Sequence, residues 1–503
     1  MEPRREGAVP DPAGAPSPAG VLRPGDTCWR LERARRMAVL VDAADYFSAL
    51  KHALLRARHQ ILLIGWDFDT RIRLEPDRRT VDGPDRLGRF LIHCVGSRPD
   101  VCVNVLKWRL SMVQAGLRGM TPLFVLDWMT NERLRYRLAS DHPVGACHHQ
   151  KIVVIDDALA FCGGIDMTTD RWDTPAHHDH DHFRRRPNGW RYGPFHDVTT
   201  AVDGEAARAL GELGRRRWKS ATGQDLPVPP PGSDPWPGIV RPRFRDVDVA
   251  IARTHPEYGD QEEVREIERL WLAAIASARR TIYIEAQYFA SRRIGKALGR
   301  RLAEPDGPEV VVVTPLATKG WLEETAMGSA RAHLLAHLRE ADRGGRFRIY
   351  TPRAERGRPI YVHAKVLVVD DRLLRVGSSN VNNRSMGFDT ECDLAIEAPP
   401  GREDVTSGIL DLRDGLVAEH LGRTVEEVRG AMAACGGSLA AAVEVLRQRP
   451  GRTLAPLDPP EPGPAASFIV ENEILDPERA RSPVQSMLHR FHGSWRRHRM
   501  RGA

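Results

Sequence analysis

Two copies of one residue pattern, 214 positions apart, constrain this 503-residue chain more than any other feature. In each copy a His is followed by Lys after two residues, Asp after seven, a small-residue pair after fourteen, and Asp or Asn after seventeen. The copies are His149, Lys151, Asp156, Gly163-Gly164 and Asp166, and His363, Lys365, Asp370, Gly377-Ser378 and Asn380. A duplication that repeats so many offsets predicts two similar halves that share one bipartite active site.

The residues after each His indicate how the pattern is arranged in space. The apolar runs 152–155 and 366–369 are typical of buried β-strands. Because side chains alternate along a strand, a His and a Lys two residues apart point to the same face. Asp156 and Asp370 close these strands and lead into turns. One His-x-Lys pair would favour a surface pair on an edge strand, but two copies at matched offsets favour a functional site.

The rest of each half alternates helical and extended patterns. Helix-like segments at 46–58 and 263–280 precede apolar strands at 61–64 and 282–284, and further strands are predicted at 101–106 and 310–313. This alternation predicts an α/β sheet in each half.

The paired residues suit attack on a phosphodiester, which is anionic and has a poor leaving group. Its non-bridging oxygens would be neutralised by Lys151, Lys365, Ser378 and Asn380. A neutral imidazole can attack phosphorus while a protonated imidazole donates to the leaving oxygen, and both forms of His coexist near neutral pH. Because the lysines supply the positive charge, we expect neither a metal ion nor another cofactor.

Longer segments around both copies carry a family resemblance. In the first half they are 163–166, 171–173 and 194–198, and in the second half 282–289, 360–363, 377–386 and 389–391. Together they resemble the phospholipase D superfamily over residues 40 to 400, and they are most similar to the branch shared with eukaryotic phospholipases D. The chain is identified as a bacterial member of that superfamily.

The resemblance implies an α/β fold of two similar lobes, arranged as a pseudo-twofold pair with the active site at their interface. It assigns His149 as the nucleophile that forms a phosphohistidine, and His363 as general acid and then general base. It also implies that Glu391 orients His149 and that Asp197 orients His363.

The remaining positions of the pattern receive less direct roles from the resemblance. Asp156 and Asp370 are counted with the catalytic residues of the two motifs, although the resemblance favours a structural role for both. Asp166 is counted with the phosphate-binding residues Lys151, Lys365, Ser378 and Asn380, but as an Asp it need not contact the phosphate directly.

Shifts in composition divide the chain into six segments. Residues 1–25, rich in Pro, Ala, Gly and Arg, are predicted to be disordered. A first lobe at 26–225 and a second at 239–402 are joined by a Pro/Gly-rich linker at 226–238. Residues 403–449 are predicted to be helical, with helices at 425–434 and 438–447, and a Pro-rich and basic tail covers 450–503.

Charge and cysteine content limit the setting of the protein. A net charge of +7 and a pI of about 9.1 fit attraction to anionic lipid or to nucleic acid without choosing between them. Seven scattered cysteines without metal-type spacing favour a reduced compartment. No signal-peptide pattern and no apolar run of about 18–20 residues is present. We therefore expect a cytoplasmic or peripheral membrane protein, with export by a route that reads no N-terminal signal left open.

A run of His and Asp at 177–182 resembles a metal-binding tract. It falls in the segment that makes the first copy longer than the second, so we favour an exposed loop near the mouth of the site over a metal site. Aromatic and basic neighbours would suit a rim for a lipid headgroup, namely Trp172, Arg184, Arg185, Arg186, Trp190 and Tyr192.

Three functions remain open. The first is a phospholipase D that hydrolyses glycerophospholipids to phosphatidic acid and an alcohol, with transphosphatidylation when an alcohol replaces water. The second is a phosphatidyltransferase such as a cardiolipin synthase, although those enzymes usually carry N-terminal membrane spans. A nuclease is disfavoured, because such chains usually hold one motif and dimerise. We expect a monomer that meets phospholipid at a membrane surface and binds no nucleic acid.

Overall fold

One β-sheet runs through both halves of the chain, with helices on its two faces. The computed structural model describes residues 20–108, 132–318, 321–458 and 476–477. The strands are β1 (Arg30–Val41), β2 (Gln60–Gly65), β3 (Cys102–Trp108), β4 (Leu134–Ala139), β5 (Ile152–Ile155), β6 (Leu159–Gly163), β7 (Phe195–His196), β8 (Val198–Asp203), β9 (Phe244–His255), β10 (Val264–Arg265), β11 (Thr281–Ala286), β12 (Glu309–Val313), β13 (Phe347–Arg353), β14 (Tyr361–Val362), β15 (Lys365–Val369), β16 (Leu373–Gly377), β17 (Glu391–Glu397) and β18 (Thr453–Pro456). The helices are α1 (Asp42–Leu54), α2 (Leu87–Ser97), α3 (Gly204–Thr222), α4 (Glu266–Ser277), α5 (Arg292–Ala303), α6 (Trp321–Ala341), α7 (Asn383–Gly387), α8 (Glu403–Leu421), α9 (Val425–Ala434) and α10 (Leu439–Leu446).

The sheet repeats the duplication that the sequence shows. From one edge to the middle the strand order is β4-β3-β2-β5-β6-β8-β1, and from the other edge it is β18-β13-β12-β11-β15-β16-β17-β9. Apart from β18, each strand of one half has a counterpart at the same position in the other. β1 and β9 join the halves as an antiparallel pair, with Leu31 opposite Ala250. The predicted α/β fold of two similar lobes related by a pseudo-twofold axis is confirmed.

The central strands form because their sequences are apolar on both faces. All residues of β5 (IVVI) and of β15 (KVLVV) are buried, which is typical of strands covered by helices on both sides. In each half three consecutive strands along the sheet are parallel, β2-β3-β4 and β11-β12-β13, and parallel neighbours require long crossover connections.

The helices form two layers around this sheet. In the first half α1 and α2 share a core with Ile61 and Leu63 of β2. The alternate residues Leu62 and Ile64 pack on the other face, with α3 and α8. In the second half α4 and α5 take the place of α1 and α2. The core under α3 and α8 contains strand residues of both halves, such as Leu62 and Val366, so packing as well as strand pairing joins the lobes.

Two short parallel pairings cross between the halves and position the predicted site. β7 pairs with β14, and an equivalent isolated bridge joins His148 to Thr390. In each case the paired residues directly precede one His and one acidic residue of the predicted site.

Two terminal segments are more ordered than predicted. The disordered segment predicted at 1–25 extends too far, because Val21 is buried and its N–H donates to Glu397 (2.8 Å); residues 1–19 lie outside the described residues. The predicted tail contains β18, which pairs with β13, and Asp476 accepts the N–H groups of Asn383 and Arg384 (3.0 and 2.8 Å). The predicted basic stretch at 489–501 lies outside the described residues.

The segment predicted to be helical contains α8, α9 and α10, and α9 has the predicted bounds. In the part of the chain that the structure describes, no single helix is long and apolar enough to cross a membrane. Helices α9 and α10 reach the length and apolar composition of a membrane span only when they are taken together, and the chain bends by 116° between them. The linker at 226–238 contains neither helix nor strand, and Trp236 within it is buried.

Candidate active site

His149 and His363 lie at corresponding ends of β5 and β15, where the backbone of one half contacts the other. The N–H of His149 donates to the carbonyl of Thr390 (2.9 Å), and the N–H of His363 donates to the carbonyl of His196 (2.8 Å). Each histidine is therefore anchored by the backbone of the opposite half.

The imidazoles are held across the interface in the same way. Nδ1 of His149 lies 3.0 Å from Oε1 of Glu391, and Nδ1 of His363 lies 2.6 Å from Oδ2 of Asp197. These are the two pairings that the family resemblance implies. Because Nδ1 is occupied in both rings, Nε2 is the atom that remains for a substrate.

The Glu391 carboxylate is fixed by two hydroxyl groups. Ser378 Oγ donates to Oε2 (2.5 Å) and Ser385 Oγ donates to Oε1 (2.7 Å). Ser378 Oγ also accepts the N–H of Cys392 (3.0 Å). The prediction that Ser378 binds phosphate is therefore wrong in this arrangement, because its hydroxyl is already used to orient Glu391.

Asp197 has a different support, and it explains one glycine of the first copy. Its Oδ1 accepts the N–H of Val198 (2.8 Å). A Cβ atom added at Gly164 would lie 2.1 Å from this oxygen, closer than any Cβ contact allows. In the first half Gly164 thus makes room for the Asp197 carboxylate. In the second half Ser378 occupies the equivalent position and donates to the Glu391 carboxylate instead.

The two lysines lie beside the histidines of their own copies. Lys151 Nζ donates to the carbonyl of His149 (2.8 Å) and lies 3.3 Å from Oδ2 of Asp166. Asp166 Oδ1 accepts the N–H of Trp66 (3.0 Å). Asp166 therefore orients Lys151, and its assignment to the phosphate-binding set is wrong because its two oxygens face Lys151 and the N–H of Trp66. Lys365 Nζ donates to Oε1 of Gln287 (3.0 Å).

Asn380 occupies the position equivalent to Asp166 and is buried. Its Oδ1 has no hydrogen-bond partner among the described residues. That Asn380 binds phosphate stays a prediction.

Asp156 and Asp370 lie at the far ends of β5 and β15 and are not catalytic. Asp156 accepts the N–H groups of residues 58, 59 and 60 (2.7, 2.8 and 2.7 Å). Asp370 accepts those of residues 279, 280 and 281 (2.9, 2.8 and 2.9 Å). Each carboxylate closes the connection into β2 or β11, seven residues after the His and at the opposite end of the strand. Their place among the catalytic residues is corrected here, and the structural role that the resemblance favours is confirmed.

Burial and nearby cations hold both imidazoles in the neutral form. Burial, followed by the charges of Lys151 and Lys365, lowers the pKa of His149 well below 6.5. Burial, followed by Lys365 and Arg171, lowers the pKa of His363 in the same direction. Lysines of both halves therefore act on one centre.

The same burial disfavours charge on the partners. It raises the pKa of Glu391 to about 8 and that of Asp197 to about 6, and it lowers the pKa of Lys365 to about 7. A substrate phosphodiester between the lysines would reverse part of this effect, because a nearby anion favours imidazolium and ammonium.

Four residues that received no role in the sequence analysis belong to the site. The Trp66 ring lies 6.4 Å from that of His149, Gln287 accepts from Lys365, Ser385 donates to Glu391, and Arg171 lowers the pKa of His363. Trp66 and Gln287 directly follow β2 and β11, which are equivalent strands. Aligning the two copies strand by strand would have identified both positions.

The His/Asp tract is not an exposed loop throughout. His178, His180 and His182 are exposed, but His177 is fully buried. Its Nδ1 lies 3.1 Å from Asp173 and its Nε2 lies 3.1 Å from Glu419. The predicted loop is therefore wrong for His177, because three carboxylates stabilise it in the interior.

This buried position is part of a four-residue set that could hold a metal ion. One ligand atom from each of Asp42, His177, His196 and Glu419 lies within 4.8 Å of the others. Burial opposes protonation of His177, but Asp42, Asp173 and Glu419 raise its pKa to about 10. Protonated histidines can therefore balance the carboxylates, and the absence of a metal stays a prediction.

The predicted lipid rim is only partly exposed. Trp190 is 70% exposed, whereas Trp172 and Arg184 are buried. Arg184 Nη1 donates to Asp173 (2.9 Å), which also bonds to His177. Arg184 and Trp172 are therefore removed from the rim.

Two family models match the two halves. Residues 53–229 match the family described as phospholipase D, and residues 271–408 match the family described as cardiolipin synthase, PLD-like domain. The chain belongs to the phospholipase D superfamily. It is 26% identical to phospholipase D alpha 1 of Nicotiana tabacum, over 74% of this chain and 63% of that protein. It is 24% identical to phospholipase D1 of Saccharomyces cerevisiae, over 77% of this chain and 29% of that protein.

A solved structure has the same fold. The crystal structure of phosphatidylserine synthase from Haemophilus influenzae superposes with a TM-score of 0.52 at 12% identity, over 82% of this chain and 97% of that chain. The chain spans less than two thirds of the tobacco and yeast relatives that it matches.

Proposed function

We propose that this protein is a phospholipase D, which hydrolyses the distal phosphodiester bond of glycerophospholipids to phosphatidic acid and a headgroup alcohol. One observation carries the proposal: each imidazole is held through Nδ1 by a carboxylate of the opposite lobe, with a lysine of each lobe beside it. Hydrolysis of a phosphodiester needs a nucleophile, an acid and positive charge at one centre, and this arrangement supplies all three.

The reaction proceeds in two displacements. Nε2 of His149 attacks phosphorus, and the bond to the headgroup oxygen breaks as His363, which the bound anion favours in its protonated form, donates a proton from Nε2 to that oxygen. A phosphatidyl group is then bound covalently to His149. Water attacks phosphorus, His363 takes its proton, and phosphatidic acid leaves as the phosphohistidine bond breaks. A primary alcohol in place of water gives transphosphatidylation by the same step.

A phosphatidyltransferase is the second candidate, because it would use the same two displacements with an alcohol as acceptor. The family model matched by the second half and the fold of the phosphatidylserine synthase support keeping it. A nuclease is less well supported, because both motifs lie in one chain and the named relatives are phospholipases.

The setting is part of the proposal. The substrate is phospholipid at a membrane surface, and the net charge of +7 favours an anionic surface. We propose a monomer that binds membranes peripherally from the cytoplasm and does not bind nucleic acid, with export as an effector as the alternative localisation.

Incubation with vesicles of mixed phospholipids, with and without a primary alcohol, tests the reaction class by lipid mass spectrometry. Phosphatidic acid in water, and a phosphatidyl alcohol when alcohol is present, are expected for a phospholipase D. Product only in the presence of an alcohol would indicate the phosphatidyltransferase. No lipid product from the wild-type protein, alongside cleavage of nucleic acid, would contradict both. His149→Ala and His363→Ala are the inactive controls, each with a loss of about 10³-fold or more.

A further inference from the structure

A cavity whose lining residues are mainly polar lies next to the His149–Lys151 motif. Gln150 stands between His149 and Lys151, and strand alternation directs its side chain to the opposite face. There it lines a cavity of about 470 Å³ between α3 and the end of β9. This volume suits a small molecule.

Four lining residues contain buried polar atoms that have no hydrogen-bond partner among the described residues. They are Nε and Nη2 of Arg217, Oε1 of Gln150, Oγ1 of Thr254 and Nε2 of His255. Arg217 is 5% exposed, Gln150 2% and Thr254 0%. Buried polar atoms are nearly always paired in native proteins, so a group of them around one cavity indicates a missing partner.

Arg217 offers one fork of two parallel donors. Its Nη1 donates to Oδ2 of Asp141 (2.9 Å), which leaves Nε and Nη2 on the same edge of the guanidinium. Two such donors match the oxygens of a carboxylate or a phosphate. The other lining arginines are already paired: Arg216 with Glu212, and Arg253 with Glu266 (2.6 Å). Glu262 also lies in the lining and opposes further negative charge, so the cavity fits one oxyanion group and not a polyanion.

The other side of the cavity accepts hydrogen bonds. Gln150 Nε2 donates to the carbonyl of Glu391 (3.2 Å), so its free Oε1 is an acceptor. Nδ1 of His255 lies 2.6 Å from the carbonyl of Pro256, so this nitrogen carries the proton and Nε2 is an acceptor. Burial, followed by the charge of Arg217, lowers the pKa of His255 to about 4 and keeps the ring neutral. A ligand must therefore bring donors of its own, such as hydroxyl groups.

A chain of hydrogen bonds runs from this cavity to the catalytic pair. Asp141, which binds Arg217, also accepts from Nε2 of His148 (3.1 Å), and Nδ1 of His148 lies 3.0 Å from Oγ1 of Thr390. Thr390 lines the cavity and directly precedes Glu391, and its carbonyl oxygen accepts the N–H of His149. Arg217 and Gln150 belong to the first half, and Thr254 and His255 belong to the second.

We propose that the cavity binds a small oxyanion that carries hydroxyl groups, and that its occupancy is linked to the His149–Glu391 pair across the lobe interface. The Arg217 fork receives the anionic group, and the hydroxyls donate to Gln150 and His255. Binding stands independently of the proposed function, whereas the effect on catalysis rests on it.

Isothermal titration calorimetry on the full-length protein tests the binding. The probes are glycerol 3-phosphate, which carries a phosphate, glycerate, which carries a carboxylate, and glycerol, which carries neither. At least one of the two anions should bind and glycerol should not. Arg217→Lys, which keeps the charge beside Asp141 but loses the fork, and Thr254→Val should each weaken binding roughly tenfold or more. Arg216→Lys, in the same cavity but paired with Glu212, is the matched control and should bind as the wild type does.

Absence of binding by both anions would overturn the site. So would equal affinity in wild type and Arg217→Lys, because an anion in the catalytic cleft would bind both alike. For the linkage, the bound anion should change kcat/KM on a soluble nitrophenyl phosphodiester by about fivefold in wild type and Arg216→Lys, but not in Arg217→Lys. Binding without any rate change would overturn the linkage alone. A protein that binds the anion but cleaves no phosphodiester would instead contradict the proposed function.

Discussion

At the level of single residues, the two imidazoles differ in what fixes their carboxylate partners. Glu391 receives two hydroxyl hydrogen bonds, from Ser378 and Ser385, whereas Asp197 receives the backbone N–H of Val198. The ring of His149 is therefore held by a carboxylate that is itself fixed on both oxygens. A nucleophile must keep one orientation through both displacements, and this supports His149 in that role.

Trapping the covalent intermediate tests this assignment. If His363 acts first as acid and then as base, its removal should impair breakdown of the intermediate more than its formation when the leaving group needs no protonation. A His363→Asn variant incubated with a nitrophenyl phosphodiester should therefore accumulate an acid-labile phosphoryl adduct, and peptide mapping should place it on His149. An adduct in the reciprocal His149→Asn variant, with none in His363→Asn, would reverse the two roles.

The pH dependence of kcat/KM should have its maximum on the acid side of neutrality. This parameter reports the groups of the free enzyme. Burial lowers the pKa of His149 well below 6.5, so the nucleophile stays neutral and active as the pH falls to that value. Burial lowers the pKa of Lys365 to about 7, so its positive charge is lost as the pH rises through neutrality. A profile on a soluble phosphodiester that still rises above pH 8 would contradict this reading.

At the level of helices and strands, the local sequence predicted more than the contacts between elements. The strand predicted at 152–155 is β5, and that predicted at 366–369 differs from β15 by one residue, because short β-branched runs form strands in most buried contexts. The helix predicted at 46–58 begins four residues too late against α1. The sequence could not predict that Ser378 bonds to Glu391 or that His177 is buried, because both depend on contacts between distant segments.

The turns after β5 and β15 provide a separate test of the motif aspartates. Asp370→Ala leaves three backbone N–H groups at the start of β11 without their acceptor. We expect the free energy of unfolding to fall by about 2–5 kcal/mol, since each orphaned donor costs roughly 1–3 kcal/mol before relaxation. The folded fraction should keep its kcat within about tenfold. Denaturant titration and active-site-normalised rates measure the two effects, and a large loss of kcat in a stable variant would restore Asp370 to the catalytic set.

His177 and His178 form a matched pair for testing the buried cluster. His177→Gln removes the partner of Asp42, Asp173 and Glu419, and should lower the free energy of unfolding by about 3–5 kcal/mol. His178→Gln, at the exposed neighbouring position, should change it by less than about 0.5 kcal/mol. Equal effects of the two changes would disprove the interior role of His177. If a divalent cation raises the melting temperature of the wild type but not of His177→Gln, the four-residue set holds a metal ion.

At the level of the whole molecule, the halves are joined by more than the linker. β1 and β9 pair along the middle of the sheet, the core under α3 and α8 contains residues of both lobes, and the imidazoles of His149 and His363 each bond to the other half. The sequence predicted one shared site from the duplication, but the continuous sheet requires the β1–β9 pairing, for which no local signal exists. Each of these contacts is independent of the covalent connection at 226–238.

Cutting that connection should therefore leave the enzyme assembled. A protease site inserted after Gly232, where the linker is exposed and has a positive φ, allows cleavage of the folded protein. The two fragments should elute together in size-exclusion chromatography, and phosphodiesterase activity should stay within about twofold of the uncut protein, because the buried interface and the crossed imidazole–carboxylate pairs remain. The same insertion without cleavage controls for the added residues. Fragments that separate under native conditions, or a cut protein that stays assembled but loses activity, would show that the linker is needed to align the two halves of the site.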